Sequence, residues 1–193
     1  LDRLHLRQKT LVLFTGDNGT ARFGRNTATV NGRRISGMKA SMLEGGSRVP
    51  LLANWPGVTP AGKVNQELVD FSDFFATFAE LTGAPLPEGV KLDSHSFAGQ
   101  IKGQPRTPRD WVYVELNGKS YARNARFKLT NGGELFDLSE APYKEIPVAS
   151  DTTDGAAIAA RKQLQEVLRE HPAPPGGPGK KAKAGKKKAK KKG

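Results

Sequence analysis

Two neighbouring oxygen donors stand at the end of a hydrophobic segment. Residues 11–19 read LVLFTGDNG, so four apolar residues and a small-residue turn lead to Asp17 and Asn18. A carboxylate beside a carboxamide suits Ca²⁺ or Mg²⁺ better than Zn²⁺, because hard cations prefer oxygen ligands. Open α/β sheets bind ligands beyond the carboxyl ends of their strands, which is where this pair is expected. Asp-Asn-Gly is also an ordinary turn, and these three residues by themselves favour that interpretation.

The strand that presents this pair is expected at residues 10–14. The segment is too short for a helix, and its continuous hydrophobicity predicts a strand buried on both faces, as in parallel or mixed α/β sheets. A second short strand is expected at 49–55, VPLLANW, after a tight turn at Gly45-Gly46. The polar stretch 20–37 predicts a long loop, and residues 1–9 predict the end of an amphipathic helix.

Segment 70–83 has the clearest helical pattern. Asp70 is the expected N-cap, Asp73 falls in the first turn, and Gly83 marks the end. Four aromatic residues at i, i+3, i+4 and i+7 predict core packing rather than a cofactor site: Phe71, Phe74, Phe75 and Phe78.

The character of the chain changes after residue 83. Residues 84–110 are rich in Pro, Gly and charge and predict a crossover connection. Three runs with aromatic or β-branched content follow, and the Asn-Gly turns between them favour an antiparallel meander: 111–116, 120–130 and 134–138. A final helix is expected around 154–170, lying across this sheet.

The charge of the protein is concentrated at one end. The formal net charge is +12 over 193 residues, but the last fifteen residues contain nine lysines, which leaves +3 for the remainder. A segment of this composition cannot bury enough apolar surface to fold, so we expect disorder there. Cysteine is absent, which excludes disulfides, thiolate nucleophiles and Cys-type zinc sites. The sequence predicts no membrane span and no signal peptide.

Several separate motifs occur in a characteristic order. FTGDNG is followed by KASMLEGGSRVP (39–50), NWPG (54–57) and VDFSDFFATFAELTG (69–83), and later by FKLT and ELFDLSEAPYKE. In this order and spacing the motifs resemble the C-terminal part of type I sulfatases, the arylsulfatase family of the alkaline phosphatase superfamily. The resemblance covers roughly residues 1–146.

The resemblance implies roles for three residues. Asp17 and Asn18 correspond to ligands of a divalent cation, usually Ca²⁺, and Lys39 corresponds to a lysine that contacts the sulfate group. Without the motif, Lys39 would be interpreted as a solvated surface lysine. Phosphatases of the same superfamily carry Asp-His at this strand end and bind zinc, so Asn18 disfavours a two-zinc phosphatase. Glu44 and Arg48 are expected to pair beneath the glycine turn.

Other parts of a sulfatase site are missing from the sequence. The family nucleophile is a formylglycine made from Cys or Ser in a Cys/Ser-x-Pro-x-Arg motif, which does not occur here. We therefore interpret the chain as the C-terminal third of a sulfatase, inactive alone, whose remaining calcium ligands and sheet neighbours lie in an N-terminal part. The histidines His5, His95 and His171 are more typical of structural or solvated positions, and His95 is the one to test.

The predicted fold is α/β: the C-terminal part of a sulfatase-type mixed sheet, then a small antiparallel sheet with a C-terminal helix. We expect the catalytic portion over 1–104, the antiparallel subdomain over 105–172, and a disordered Pro/Gly linker with its lysine-rich tail over 173–193.

The resemblance implies calcium-dependent hydrolysis of a sulfate ester by the full-length enzyme, with sulfated polysaccharides among the expected substrates and a periplasmic or extracellular location. A second hypothesis is a non-catalytic protein that binds polyanions or nucleic acid through its tail. Such binding would be nonspecific, because no aromatic residues interrupt the lysines. A third is a degenerate, non-catalytic sulfatase-like protein.

Overall fold

The computed structural model describes residues 1–21 and 28–174. Within them the secondary structure runs in the following order: two 3₁₀ turns (Asp2–Leu4, Arg7–Lys9), β1 (Val12–Thr15), β2 (Thr29–Val30), β3 (Arg33–Arg34), α1 (Glu44–Ser47), β4 (Leu51–Asn54), α2 (Asp73–Thr82), α3 (Ala98–Lys102), β5 (Val112–Leu116), β6 (Lys119–Arg123), β7 (Phe127–Thr130), β8 (Leu135–Asp137), β9 (Ile146–Val148) and α4 (Gly155–Glu170). The predicted mixed α/β class is confirmed. No helix of the described residues is long and apolar enough to cross a membrane.

The strand before the Asp-Asn pair finds its partner within the chain. β1 pairs with β4 in antiparallel register, with Val12 opposite Asn54 and Thr15 opposite Leu51. The predicted burial on both faces is wrong for the described residues, since Phe14 is 64% exposed and Leu52 57% exposed. The reason is that these two strands form a two-stranded sheet there, without a second layer over this face.

Two other local predictions in the first part of the chain need correction. Residues 1–9 form the two 3₁₀ turns rather than the end of an amphipathic helix, and Leu1 and Leu4 are exposed. The predicted loop 20–37 contains the hairpin β2–β3, which turns at Asn31-Gly32, where both residues have positive φ. Arg22 and Arg25 lie outside the described residues.

The aromatic face of helix α2, which the sequence predicts as the buried face, is not the face that packs most closely against the rest of the protein. The buried residues of α2 are Asp73, Ala76 and Thr77, whereas Phe71, Phe75 and Phe78 are about half exposed. The polar face is covered because the segment before α3 packs on it through hydrogen bonds. The amide of His95 donates to the Asp73 carboxylate (2.7 Å), and the amide of Phe97 donates to the Thr77 hydroxyl (2.8 Å).

Helix α2 begins two residues later than the predicted N-cap allows, because Ser72 and not Asp70 occupies the N-cap position. The Asp70 carboxylate accepts from the Ser72 amide (2.9 Å), and the Asp73 carboxylate accepts from the Asp70 amide (2.8 Å), so the two carboxylates stabilise the turn that leads into the helix. Asp73 also receives two hydrogen bonds from the buried guanidinium of Arg109, at 3.1 and 2.6 Å. This carboxylate therefore joins α2 to the residues that lead into β5.

Strands β5 to β9 form the predicted antiparallel meander, in sequential order. The first hairpin turns at Asn117-Gly118, with φ values of 54° and 77°, as the Asn-Gly signal predicts. The run 120–130 divides into two strands, and β9 is an additional edge strand. The predicted last helix is confirmed as α4, where the Asp154 side chain accepts from the Ala156 amide (2.9 Å) as N-cap.

The two faces of this sheet differ in chemistry. One face packs against α4 and forms an apolar core from Ala122, Phe127, Leu129, Leu135, Ala157, Ala160, Leu164 and Val167. Because side chains alternate along a strand, Tyr121 and Arg123 of β6 lie on the opposite face, together with Lys128, which pairs with Arg123 across the strands. This polar face of the sheet is turned toward α1 and its preceding loop.

Candidate active site

The Asp-Asn pair follows directly on β1 in a tight bend. Asp17 is exposed and Asn18 is half-buried. The amide of Gly19 donates to the carbonyl oxygen of Gly46 (3.0 Å). A Cβ added to Gly19 would overlap the Gly45 carbonyl oxygen and lie 2.6 Å from the Gly45 carbonyl carbon. The bend after the pair therefore lies directly against the glycine turn, and a side chain at Gly19 has no space.

Lys39 is brought to the same place by its backbone. Its amide donates to the carbonyl oxygen of Thr20 (2.8 Å), three residues after Asp17. The residue after it, Ala40, has a φ of 67°, so the chain turns sharply at this point. The Lys39 side chain is exposed. The structure thus brings the backbone segments of Asp17, Asn18 and Lys39 together at the carboxyl end of β1.

The glycine turn is packed too tightly for any side chain. The Gly45 amide donates to the Ser36 carbonyl oxygen (2.7 Å), and a Cβ on Gly45 would lie 2.6 Å from that oxygen. A Cβ on Gly46 would lie 2.8 Å from the Met38 carbonyl oxygen. Three backbone segments, around residues 19, 36–38 and 45–46, therefore form one tightly packed layer under the candidate site.

The charged residue of this turn has a different main partner than predicted. Glu44 is 2% exposed, and its Oε1 accepts from Nη1 of Arg123 at 2.8 Å. The predicted pairing with Arg48 also occurs, at 3.5 Å, but the Arg48 side chain is 53% exposed. The shorter and more buried contact is the stronger one, because solvent screens exposed pairs. Arg123 is thus the principal partner that the sequence did not reveal.

Two further side chains of the polar sheet face reach the same loop. The hydroxyl groups of Tyr121 and Ser47 are hydrogen-bonded at 2.6 Å, and burial raises the pKa of Tyr121 to about 12. Nζ of Lys128 donates to the Met42 carbonyl oxygen (2.9 Å) and forms a buried ion pair with Glu145. Alternation along FKLT places Lys128 opposite the apolar Phe127 and Leu129, and this is the signal that could have identified it.

The donor set at the end of β1 agrees with a hard cation in its chemistry. Asp17 and Asn18 offer carboxylate and carboxamide oxygens, at most three of the ~6–8 that calcium takes. Among residues 1–21 and 28–174 there is no group of three or more His, Cys, Asp or Glu that could hold a metal ion. These two residues fit part of a calcium shell and do not complete one.

The histidines occupy other surroundings. The exposed His95 lines a cleft of about 370 Å³ with Arg106 and Trp111. The ring of His171 packs against Trp111 and Tyr113, with ring centroids 5.4 and 5.6 Å apart. A larger cleft of about 1030 Å³ lies between α4, the turn before β7 and residues 64–68, and none of the three predicted site residues lines it.

Comparison with known proteins identifies the family. Residues 1–84 match the sulfatase family. Human arylsulfatase A is 34% identical over 72% of this chain and 29% of its own length. N-acetylgalactosamine-6-O-sulfatase from Bacteroides thetaiotaomicron is 32% identical over 88% of this chain and 36% of its own length.

A solved structure from work on the metabolism of multiple glycosaminoglycans by Bacteroides thetaiotaomicron superposes with a TM-score of 0.68. Its sequence is 26% identical, and the match covers 89% of this chain and 40% of that one. Over the part of the chain that they cover, these matches support a member of the type I sulfatase family. The chain spans about a third of the length of these two curated relatives.

Proposed function

We propose that Asp17, Asn18 and Lys39 form part of the active site of a sulfatase that hydrolyses a sulfate ester with the help of calcium. The observation that carries this proposal is the pair of backbone hydrogen bonds, from Gly19 to Gly46 and from Lys39 to Thr20, that gathers the three residues at one strand end. Family membership supports sulfate-ester hydrolysis in general.

Each residue has a distinct task in this proposal. The Asp17 carboxylate and the Asn18 amide oxygen hold the cation, which supplies Lewis-acid polarisation of the sulfuryl oxygens when bound. The Lys39 ammonium neutralises negative charge that grows on the sulfuryl oxygens or on the leaving oxygen. The exposure of Asp17 and Lys39 leaves both side chains accessible to cation and substrate.

The motif that supplies the family's nucleophile does not occur in these 193 residues, which contain no cysteine and no serine in the Ser-x-Pro-x-Arg pattern. We therefore propose that residues 1–193 are inactive by themselves and that the remaining calcium ligands are supplied by other residues of the same enzyme. The division into a catalytic portion at 1–104 and a subdomain at 105–172 belongs to the same proposal.

The names of the relatives support a proposal about the substrate class. One relative is named for a sulfated amino sugar, and one structural neighbour comes from work on glycosaminoglycans. We propose a sulfated carbohydrate as the natural substrate and a periplasmic or extracellular location. The lysine-rich tail, within 175–193 and outside the described residues, would attract the same polyanions nonspecifically.

The test uses the protein at its full natural length, assayed on an aryl sulfate with and without a calcium chelator. Asp17→Asn and Lys39→Ala are compared with Lys63→Ala, which removes an exposed lysine elsewhere. We expect kcat/KM to fall ~100-fold or more in the first two variants and to stay unchanged in the third. Calorimetry should show that Asp17→Asn also weakens calcium binding. Full activity of both site variants would refute the assignment.

A further inference from the structure

Three side chains of the C-terminal sheet form hydrogen bonds with the loop that carries the candidate sulfate site. Arg123 binds Glu44, Tyr121 binds Ser47, and Lys128 binds the Met42 carbonyl oxygen, at 2.8, 2.6 and 2.9 Å. The three contacts fall within six consecutive residues of the loop, 42–47. Each contact joins residues that lie 74 to 86 positions apart in the chain.

Burial and further contacts hold these three side chains in fixed positions. Tyr121 and Lys128 are at most 2% exposed, and Lys128 also lies over the Tyr121 ring, 4.9 Å from its centroid. Arg123 donates from Nε to the Asn124 carbonyl oxygen (3.0 Å), which fixes its guanidinium plane. Since all three belong to neighbouring strands of one sheet, they form a rigid polar platform.

Tightly packed backbone contacts connect the platform to the candidate site residues. Gly45 and Gly46 follow Glu44 directly, and Gly46 accepts the Gly19 hydrogen bond beside the Asp-Asn pair. The same turn contacts the 36–38 segment next to Lys39. Because none of these contacts has space for a methyl group, a shift of the turn must move the neighbouring segments with it.

A contribution to the stability of the fold does not by itself explain why charged side chains are buried between the sheet and the loop. Burying Glu44, Lys128 and Glu145 has a desolvation cost that well-packed apolar residues would avoid. The cluster is also imperfectly satisfied, since Oε1 of Glu145 is buried without a hydrogen-bond partner within the described part of the chain. Directional hydrogen bonds fix the position of a loop more narrowly than apolar contacts do.

We propose that Arg123, Tyr121 and Lys128 are positioning residues that set the placement of Lys39 and of the Asp-Asn pair by holding segment 42–47 from behind. This inference rests on the proposed function, because the residues being positioned are the candidate sulfate and calcium ligands. In this proposal the platform acts on the loop and not on the substrate. Its effect is expected in the alignment of the reacting groups, where a misplacement of ~1 Å can cost ~100-fold in rate.

The experiment measures kcat, KM, calcium affinity and thermal stability of the full-length protein with Arg123→Met, Arg123→Lys and Tyr121→Phe. The matched control is Arg126→Met, because Arg126 forms an ion pair with Asp137 on the same sheet, away from the loop. We expect Arg123→Met to lower kcat at least tenfold and to weaken calcium binding, with KM changed less than threefold. Arg123→Lys should restore part of kcat.

Tyr121→Phe keeps the packed ring and removes one hydroxyl, so it should fold and lower kcat at least threefold. Arg126→Met should leave both kcat and calcium affinity unchanged. The positioning role is overturned if folded Arg123→Met and Tyr121→Phe both keep kcat within twofold of wild type while Asp17→Asn and Lys39→Ala abolish activity. If the latter two variants keep full activity, the proposed function fails as well, so the two failures are distinguishable.

Discussion

The tight packing of Gly19 allows one substitution to test the site and the fold together. In Gly19→Ala, the new Cβ would lie 2.6 Å from the Gly45 carbonyl carbon, whereas carbon atoms in contact are ~3.5–4.0 Å apart. The Gly45-Gly46 turn must therefore retreat by about 1 Å. Overpacking of this kind costs about 1–3 kcal/mol of unfolding free energy, and the upper end applies because the obstacle is backbone.

The same displacement separates Lys39 from the Asp-Asn pair, so kcat of the full-length protein should fall ~100-fold. The assay combines urea unfolding with aryl sulfate turnover. Gly155→Ala is the control, because a Cβ at Gly155 meets nothing within 4 Å and the residue opens helix α4. That substitution should be neutral or stabilising by up to about 1 kcal/mol. If Gly19→Ala retained wild-type stability and turnover, the close approach of the two turns would be refuted.

Three further results are expected. Asp73→Asn leaves the buried Arg109 without its anionic partner and should cost about 3–5 kcal/mol of unfolding free energy. The control Glu80→Gln, which breaks an exposed ion pair with Arg106, should cost under about 1 kcal/mol. Equal losses of stability in urea titrations of the two variants would contradict this expectation. Because the pKa of Tyr121 is raised from 10.0 to about 12, its stabilising contribution is complete below pH 10 and is lost as pH rises toward 12, by roughly 2–3 kcal/mol. Tyr121→Phe should remove that loss, and an unchanged pH profile in the variant would argue against it. Deleting 176–193 should sharply weaken the retention of the protein on a heparin column and make that retention less dependent on salt. Unchanged retention would exclude the tail as a polyanion-binding segment.

The C-terminal half of the fold could be predicted from local signals. Asn117-Gly118 specifies the two-residue hairpin because both residues accept positive φ, and Asp154 with the apolar spacing of Ala157, Ala160 and Leu164 specifies α4. β9 was not expected, because Pro147 interrupts its run, and the structure tolerates that proline at the edge of the sheet.

Other features depend on contacts that no local pattern contains. The aromatic spacing of 71–78 predicts an amphipathic helix correctly, but periodicity does not say which layer covers which face. Here the segment leading into α3 covers the polar face. Motif order was enough to predict Asp17, Asn18 and Lys39 as candidate site residues. It was not enough to predict the platform of Tyr121, Arg123 and Lys128, because the contacts of the platform are made across 74 to 86 residues.

These long-range contacts also bear on the time at which the site can form during synthesis. The residues that would bind cation and sulfate leave the ribosome before the strands that hold their loop in place, β6 and β7, which emerge some 80 residues later. Contacts of such separation form late, since loop-closure entropy must be overcome first. A nascent chain therefore carries the Asp-Asn pair on an unsupported loop until β7 is complete, and its cation affinity should mature only then.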